Sequence, residues 1–384
     1  MKLLFLTSRF PFPIEKGDKL RAYYLIKYLS RYHDIYLFAI TDKQPDQSSI
    51  NEVAPYCKAI HVEQISVVQS IQQMLLAITT AVPFQVAYFT RNSVKKKLAE
   101  FVRTHHPDKV FCHLIRMADY IDDVQLPEGI IDYMDAFGKG VERLAQHSAW
   151  WKRMLLKVEE LRVKKYEATI FNHFKHHLII SEQDRDFIQH PLNNTIKVIP
   201  NGVDLDYYQP QLSDKKFDLL FIGNMAYPPN IEAASYAVNK IIPLLQKYKP
   251  DVSMLIAGAT PSRQVRNLQS EKIVVTGWID DVRSVFSSSA IMIAPMLISI
   301  GLQNKILQAM AMKTPCVISR LANNAIGAPE NCVRVADNPQ QYADMIIDLL
   351  NNPDKAQEMA EHAYTFVKQN FSWENNVEKI NQLL

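Results

Sequence analysis

Short apolar runs alternate with amphipathic stretches along the chain, and the alternation starts over once. KLLFLT (2–7), IYLFAI (35–40), KAIHV (58–62), KVFCH (109–113), GIIDY (129–133), HHLIIS (176–181) and TIKVI (195–199) have the length and composition of strands. DKLRAYYLIKYLSRY (18–32) and SVKKKLAEFVRTH (93–105) space their apolar residues as helices do. The pattern restarts with DLLFIG (218–223), VSMLIAG (252–258), KIVVTG (272–277), IMIAPM (291–296), TPCVIS (314–319) and CVRVA (332–336). Strand–helix alternation implies parallel sheets with right-handed crossovers. The chain therefore reads as α/β, with two doubly wound, Rossmann-like domains over 1–200 and 201–365. The joint is expected at IPNGVD (199–204) and the polar QPQLSDKK (209–216), and the last stretch, YTFVKQNFSWENNVEKINQLL, reads as a terminal helix pair.

Composition excludes several classes. With 48% hydrophobic and 22% charged residues, each half has enough apolar surface for a core, so disorder is excluded as the main state. No run of about 18 uncharged apolar residues occurs, which excludes a membrane span. The apolar run in MKLLFLTSRFPFP is too short for a signal peptide and reads as the first strand of a cytoplasmic protein. Cys57, Cys112, Cys316 and Cys332 are far apart, which argues against a zinc site and a disulfide framework. The net charge of +3 does not imply nucleic acid, but it is unevenly spread. The first 200 residues hold 27 Lys and Arg against 22 Asp and Glu; the rest hold 16 against 18. A long helical stretch at 142–174 contributes, with seven basic and three acidic residues between 150 and 177 beside Trp150 and Trp151. Two readings stand: a surface for anionic lipid headgroups or an acidic acceptor, or a core-facing helix with a solvated basic side.

No GxGxxG follows the first strand, and no GxxxxGK[ST], GxSxG or HExxH occurs, which removes most common α/β enzyme classes. A ligand is still expected beyond the carboxyl ends of the parallel strands, and with two such domains in the cleft between them. After the first strand, SRFPFPIEKGDKLRAYY (8–24) brings Gly17 before a helix start, with Asp18 as its expected N-cap and Arg9, Lys19 and Arg21 nearby. In APMLISIGLQNKILQAMAMKTPCVIS (294–319), a loop runs to Gly301 and a helix opens near Gln303. Amides of residues 301–304 suit a diphosphate, Lys305 a phosphate charge, and Gln308, on the same helical face, sugar hydroxyls. A solvated Lys305 and an incidental Gln308 are the plainer alternative.

VIPNGVD (198–204), GNMAYPPN (223–230), TGWIDDV (276–282) and GLQNKILQAMAMKTPCV (301–317) resemble a GT-B retaining glycosyltransferase of family 4, of the bacterial surface-polysaccharide group. PFPIEKGDKLRAYYLIKYLS near the start, DYMDAF (132–137) and FSW (371–373) fit the same group, so the resemblance covers essentially the whole chain. It implies a GT-B architecture with two Rossmann-like domains facing a central cleft and the C-terminal helix (366–384) returning to the first domain. It also implies transfer of a hexosyl group from a UDP- or GDP-linked donor to a glycan or lipid-diphosphate-linked acceptor, with no cofactor and no metal. The enzyme would work at the inner membrane face, without nucleic acid. Donor contacts implied are Gly17, Arg21, Gly223, Asn224, Trp278 and Ile279 (the last two bordering the base), with Gly301, Leu302, Gln303, Asn304, Lys305 and Gln308. His113 and Arg116 would face the transferred sugar or the acceptor, and Asp135 acceptor hydroxyls. For His113 and Asp135 the alternatives are a buried strand-end histidine and a helix N-cap. Asp122–Asp123 and Asp280–Asp281 read as capping or solvated pairs. The family's two glutamates correspond here to Ile300 and Gln308, and GNMAYPPN lacks its Arg/Lys pair. Those departures motivate an alternative, a non-catalytic GT-B-like binding or scaffolding subunit; a sugar-nucleotide epimerase is a third reading.

Overall fold

The computed structural model describes residues 1–121, 127–146, 148–211, 213–298 and 302–384. Asp122, Asp123, Ile300 and Gly301 lie outside the described residues. The chain divides into two compact units, Met1–Pro200 with Asn376–Leu384, and Asn201–Asn375. The first holds β1 (Lys2–Thr7), β2 (Asp34–Thr41), β3 (Ala59–Gln64), β4 (Lys109–His113), β5 (Gly129–Asp132), β6 (His176–Ile179) and β7 (Lys197–Val198). They form one parallel sheet in the order β3-β2-β1-β4-β5-β6-β7. The second holds β8 (Phe217–Ile222), β9 (Met254–Ala257), β10 (Ile273–Val275), β11 (Ser289–Ala294), β12 (Cys316–Ser319) and β13 (Arg334–Ala336). Its parallel sheet has the order β10-β9-β8-β11-β12-β13.

Every expected strand is present, most of them shortened at one or both ends. TIKVI keeps only two paired residues, because Asn193–Thr195 closes a 3-10 turn and Pro200 has no amide to donate. The central strands are buried on both faces, as parallel strands covered by helices must be. Leu3, Leu4, Phe5 and Leu6 are all fully buried, and Phe5 stacks on Phe111 of β4, its register partner, at 4.9 Å.

The strand order reverses direction between β1 and β4 in the first unit and between β8 and β11 in the second. At such a point the connections leave to opposite sides and open a crevice at the carboxyl edge.

The C-terminal segment returns to the first unit only from Asn376, not from 366. The helix Pro353–Asn370 puts Met359, Ala363 and Val367, with Phe371 just beyond it, into the core of the second unit, and Val203 donates its amide to the Phe371 carbonyl.

The stretch 142–174 lies in two helices, Phe137–Gln146 and Trp150–Ile170. The longer one buries Glu159, Val163, Glu167 and Ile170. Both glutamates serve the starts of other helices. Glu159 accepts from the Phe84 amide at 2.7 Å, where the helix Phe84–Phe89 begins, and Glu167 accepts from the Gly138 amide at 3.3 Å. A carboxylate there satisfies an orphan donor and meets the positive helix end.

Burial nonetheless pushes Glu167 up to about 8, against the lowering effect of the Gly138 and Phe137 amides. The folded state then holds a proton that the unfolded chain releases near pH 4. This contribution to stability is complete at acid pH and is lost as pH rises through about 8. Glu167→Gln keeps an acceptor oxygen and removes the titration. Its melting temperature relative to wild type is expected to rise between about pH 5 and about pH 8.5. An unchanged difference across that window would refute the assignment.

Candidate functional site

In the first unit, a charged cluster sits at the carboxyl edge beside the β1/β4 switch point. Asp132 ends β5, opposite His113 at the end of β4. Its carboxylate accepts two bonds from the Arg21 guanidinium, at 2.6 and 3.0 Å, and lies 3.1 Å from His113 Nδ1. Arg21 also donates to the Ile199 carbonyl at 3.0 Å. His113 Nε2 reaches the Asp18 carbonyl, also at 3.1 Å, which ties β4 to the first turn of the helix Gly17–Leu29. Arg21, His113 and Asp132 are fully buried. Burial raises the pKa of Asp132, but the charges of Arg21 and His113 prevail and hold it at about 2.

Asp18 is not the N-cap of its helix. Lys16 takes that position without a side-chain bond, and Asp18 in the first turn is ion-paired with Arg9. Arg116 approaches the same carboxylate at 3.9 Å, too far for a hydrogen bond. Its guanidinium lies over the Phe89 and Phe137 rings, and two of its nitrogens, Nε and Nη1, are buried without a hydrogen-bond partner. Burial and the nearby Arg9 lower it to about 10. The turn that presents it holds Leu114 at φ 72°, a conformation that costs a non-glycine residue energy and clusters at working sites. Asp135, three residues beyond β5, is pushed up to about 7 by burial and by Asp184. Gly17 is exposed at the start of its helix.

In the second unit the switch point lies between β8 and β11. Gly223 and Asn224 follow β8, and the helix Asn304–Ala311 follows the β11 loop with Gln303 at its N-cap position. Lys305 Nζ donates to Asn230 Oδ1 at 2.7 Å and lies 4.6 Å from the centre of the Phe221 ring. Asn230 in turn donates to the Asn224 carbonyl at 2.9 Å. Desolvation over this ring pushes Lys305 down to about 7. Gly223 is required by this arrangement, since a Cβ there would come within 2.7 Å of Asn230 Nδ2. Gly258, just after β9, has φ +132°, and a Cβ on it would lie 1.9 Å from the Gly223 carbonyl oxygen. Asn304 Oδ1 is buried without a hydrogen-bond partner. Leu302 leans on the core, and Gln308 is half-buried one turn beyond Lys305. Trp278 and Ile279 follow the edge strand β10. Trp278 is exposed with its Nε1 on Asp280, and Ile279 leans on the core. Asp281 binds the Arg283 amide and guanidinium.

Among the described residues no group of three or more His, Cys, Asp or Glu could hold a metal ion, and no helix is long and apolar enough to cross a membrane. Sequence reasoning missed Asp132 and Asn230. For Asp132 a signal existed: one acid closes the otherwise apolar GIID. Asn230 left none, because its partner lies 75 residues away.

Residues 216–352 match the family described as Glycosyl transferases group 1. An uncharacterized 44.6 kDa protein in the cps region of Klebsiella pneumoniae is 22% identical over 395 residues, covering 96% of both chains. The crystal structure of HepE from Anabaena in complex with UDP superposes with a TM-score of 0.69 at 15% identity, over 100% of this chain and 99% of that one. Sucrose-phosphate synthase from Thermosynechococcus elongatus gives 0.70 at 14% identity, over 100% and 98%. The chain has the fold of these proteins: two parallel-sheet, Rossmann-like domains of the GT-B type.

Proposed function

We propose that the protein transfers a hexosyl group from a UDP- or GDP-linked donor to a glycan or lipid-diphosphate-linked acceptor in surface polysaccharide synthesis. The observation that carries this reading is the Lys305–Asn230 pair at the switch point of the second sheet, beside the start of the helix Asn304–Ala311. A lysine kept half-discharged by burial gains most from an arriving diphosphate, and first-turn amides add donors without a counter-charge. The unpartnered Asn304 Oδ1 supplies an acceptor for a donor hydroxyl. HepE was solved with UDP and with UDP-glucose, and the Klebsiella relative comes from a cps region, which supports the donor class and the pathway.

In this reading Gly17, Gly223, Asn224 and residues 301–305 hold the diphosphate, Gln308 the ribose, and Trp278 and Ile279 the base. Arg116 and Asp135 face the transferred sugar and acceptor. Arg21 and His113 act from behind, by setting the end of β5 and the first turn of the helix Gly17–Leu29. Charge on the departing diphosphate is taken up by Lys305 and amides rather than by a metal. Configuration is retained, with the leaving phosphate helping to deprotonate the acceptor.

Gln308, where the resembled family carries a carboxylate, favours one other reading, a binding subunit without turnover. A thermal-shift panel of UDP, GDP and ADP with their sugars tests the first reading, because a ligand of the folded state raises the melting temperature. A shift with one base, followed by labelled-sugar transfer to lipid-linked acceptors, is expected. Binding without transfer selects the second reading; no shift with any nucleotide removes the first and leaves a scaffolding subunit.

A further inference from the structure

The helix Trp150–Ile170 has apolar residues on two sides, and only one of them is buried. Its buried side carries Val163 and Ile170 together with Glu159 and Glu167, while Trp150, Met154, Val158 and Leu161, spaced four, four and three apart, point outward. These four side chains are between 51% and 78% exposed. The fold has a use for the inward glutamates, as helix caps, and none for the outward apolar stripe.

A second such face adjoins it. Residues 64–90 contain no charged side chain, and the helix Val67–Leu76 within them buries only Ser70, through a 2.5 Å bond from Arg91. Its outward side exposes Val68, Ile71 and Leu75. Arg162 donates to the Ile78 carbonyl at 2.7 Å and lies over the Phe84 ring, so the end of this segment is fastened beside the middle of the longer helix. Exposed apolar residues in such number on one monomer mark a contact surface.

Charge identifies the occupant. Lys152, Arg153 and Lys157 lie on the same exposed turns as Trp150 and Trp151, and among the described residues none of the three forms a salt bridge. Basic side chains flanking tryptophans and aliphatics on one helix suit an anionic interface: rings and aliphatics enter the headgroup–acyl boundary and the cations meet phosphates. Two copies of this face would instead bring like charges together. We propose that the stripes of Trp150–Leu161 and Val68–Leu75 form one docking surface for an anionic phospholipid bilayer, lying on it without crossing it.

The inference does not depend on the sugar-transfer reading, and its test needs no donor. The full chain is sedimented with phosphatidylcholine vesicles and with vesicles that also contain phosphatidylglycerol. Three variants confined to exposed positions are compared, with melting temperature as the check on folding: Trp150→Ser with Met154→Ser, Lys152→Ala with Lys157→Ala, and Leu75→Ser. Wild type is expected to bind the anionic vesicles more tightly. The first pair should lose on the order of tenfold on both vesicle types, and the lysine pair on the order of tenfold on anionic vesicles alone. Leu75→Ser should lose severalfold, which separates a two-helix surface from one helix. The proposal is overturned if wild type ignores anionic vesicles or if all variants bind as wild type does. It is equally overturned if sedimentation velocity shows a dimer that Leu161→Glu dissociates.

Discussion

Asp132→Asn is expected to lower the melting temperature of the first unit by on the order of 10 °C. The carboxylate is fully buried and is the counter-charge of the equally buried Arg21, with two bonds to its guanidinium. The amide leaves that buried cation without the charge of Asp132, and breaking a buried pair from one side costs about 3–5 kcal/mol. The bond that the Asp132 carboxylate accepts from His113 Nδ1 is weakened with it. A double variant, Arg21→Met with Asp132→Leu, removes both charges and should regain much of the loss. Acid unfolding gives an independent check. Arg21 and His113 hold Asp132 at about 2, below its unfolded value, so its contribution is present above about pH 4 and disappears as pH falls toward 2. Asp132→Asn should lack that limb. A variant melting within about 2 °C of wild type would show that the pair is not the brace described here.

Lys305→Met should separate stability from binding. Burial lowers Lys305 to about 7, while an unfolded lysine keeps its proton to about 10.4. Between those values the unfolded chain binds more protons, so this group makes the fold less stable as pH falls from about 10 to about 7. Methionine removes the penalty, and the second unit should melt higher at neutral pH. Nucleoside diphosphate binding should weaken on the order of a hundredfold, because a largely desolvated cation is lost from the anion's site. In wild type the bound diphosphate favours the ammonium, so affinity should be greatest below about pH 7 and fall above it. Calorimetry in buffers of different ionisation heat would register the accompanying proton uptake. Unchanged affinity in Lys305→Met would remove Lys305 from the donor site.

The architecture was legible because its signal is local. Short continuous apolar runs, helical spacing and a restart near residue 218 each depend on neighbours in the chain, and each strand they predicted is present. That Gly223 and Asn224 follow β8, and that a helix opens near Gln303, was legible for a similar reason, since both are junctions between neighbouring segments of the chain. What was not legible rests on pairs far apart. Arg21 looked like a donor contact near a helix start; its partner, 111 residues away, turns it inward. Lys305 looked solvated or free for phosphate; Asn230 and the Phe221 ring engage and desolvate it.

The helix Trp150–Ile170 marks the boundary most clearly. Its sequence determined that it is a helix, that it is basic, and that apolar residues recur with helical period. Tertiary structure alone decided which side faces in. Two helix starts, at Phe84 and Gly138, take acceptors from Glu159 and Glu167, so the side that carries these glutamates faces in with Val163 and Ile170 and the other apolar stripe stays out. Periodicity reports that a helix has a distinct face; the unsatisfied groups of its neighbours determine where that face is turned.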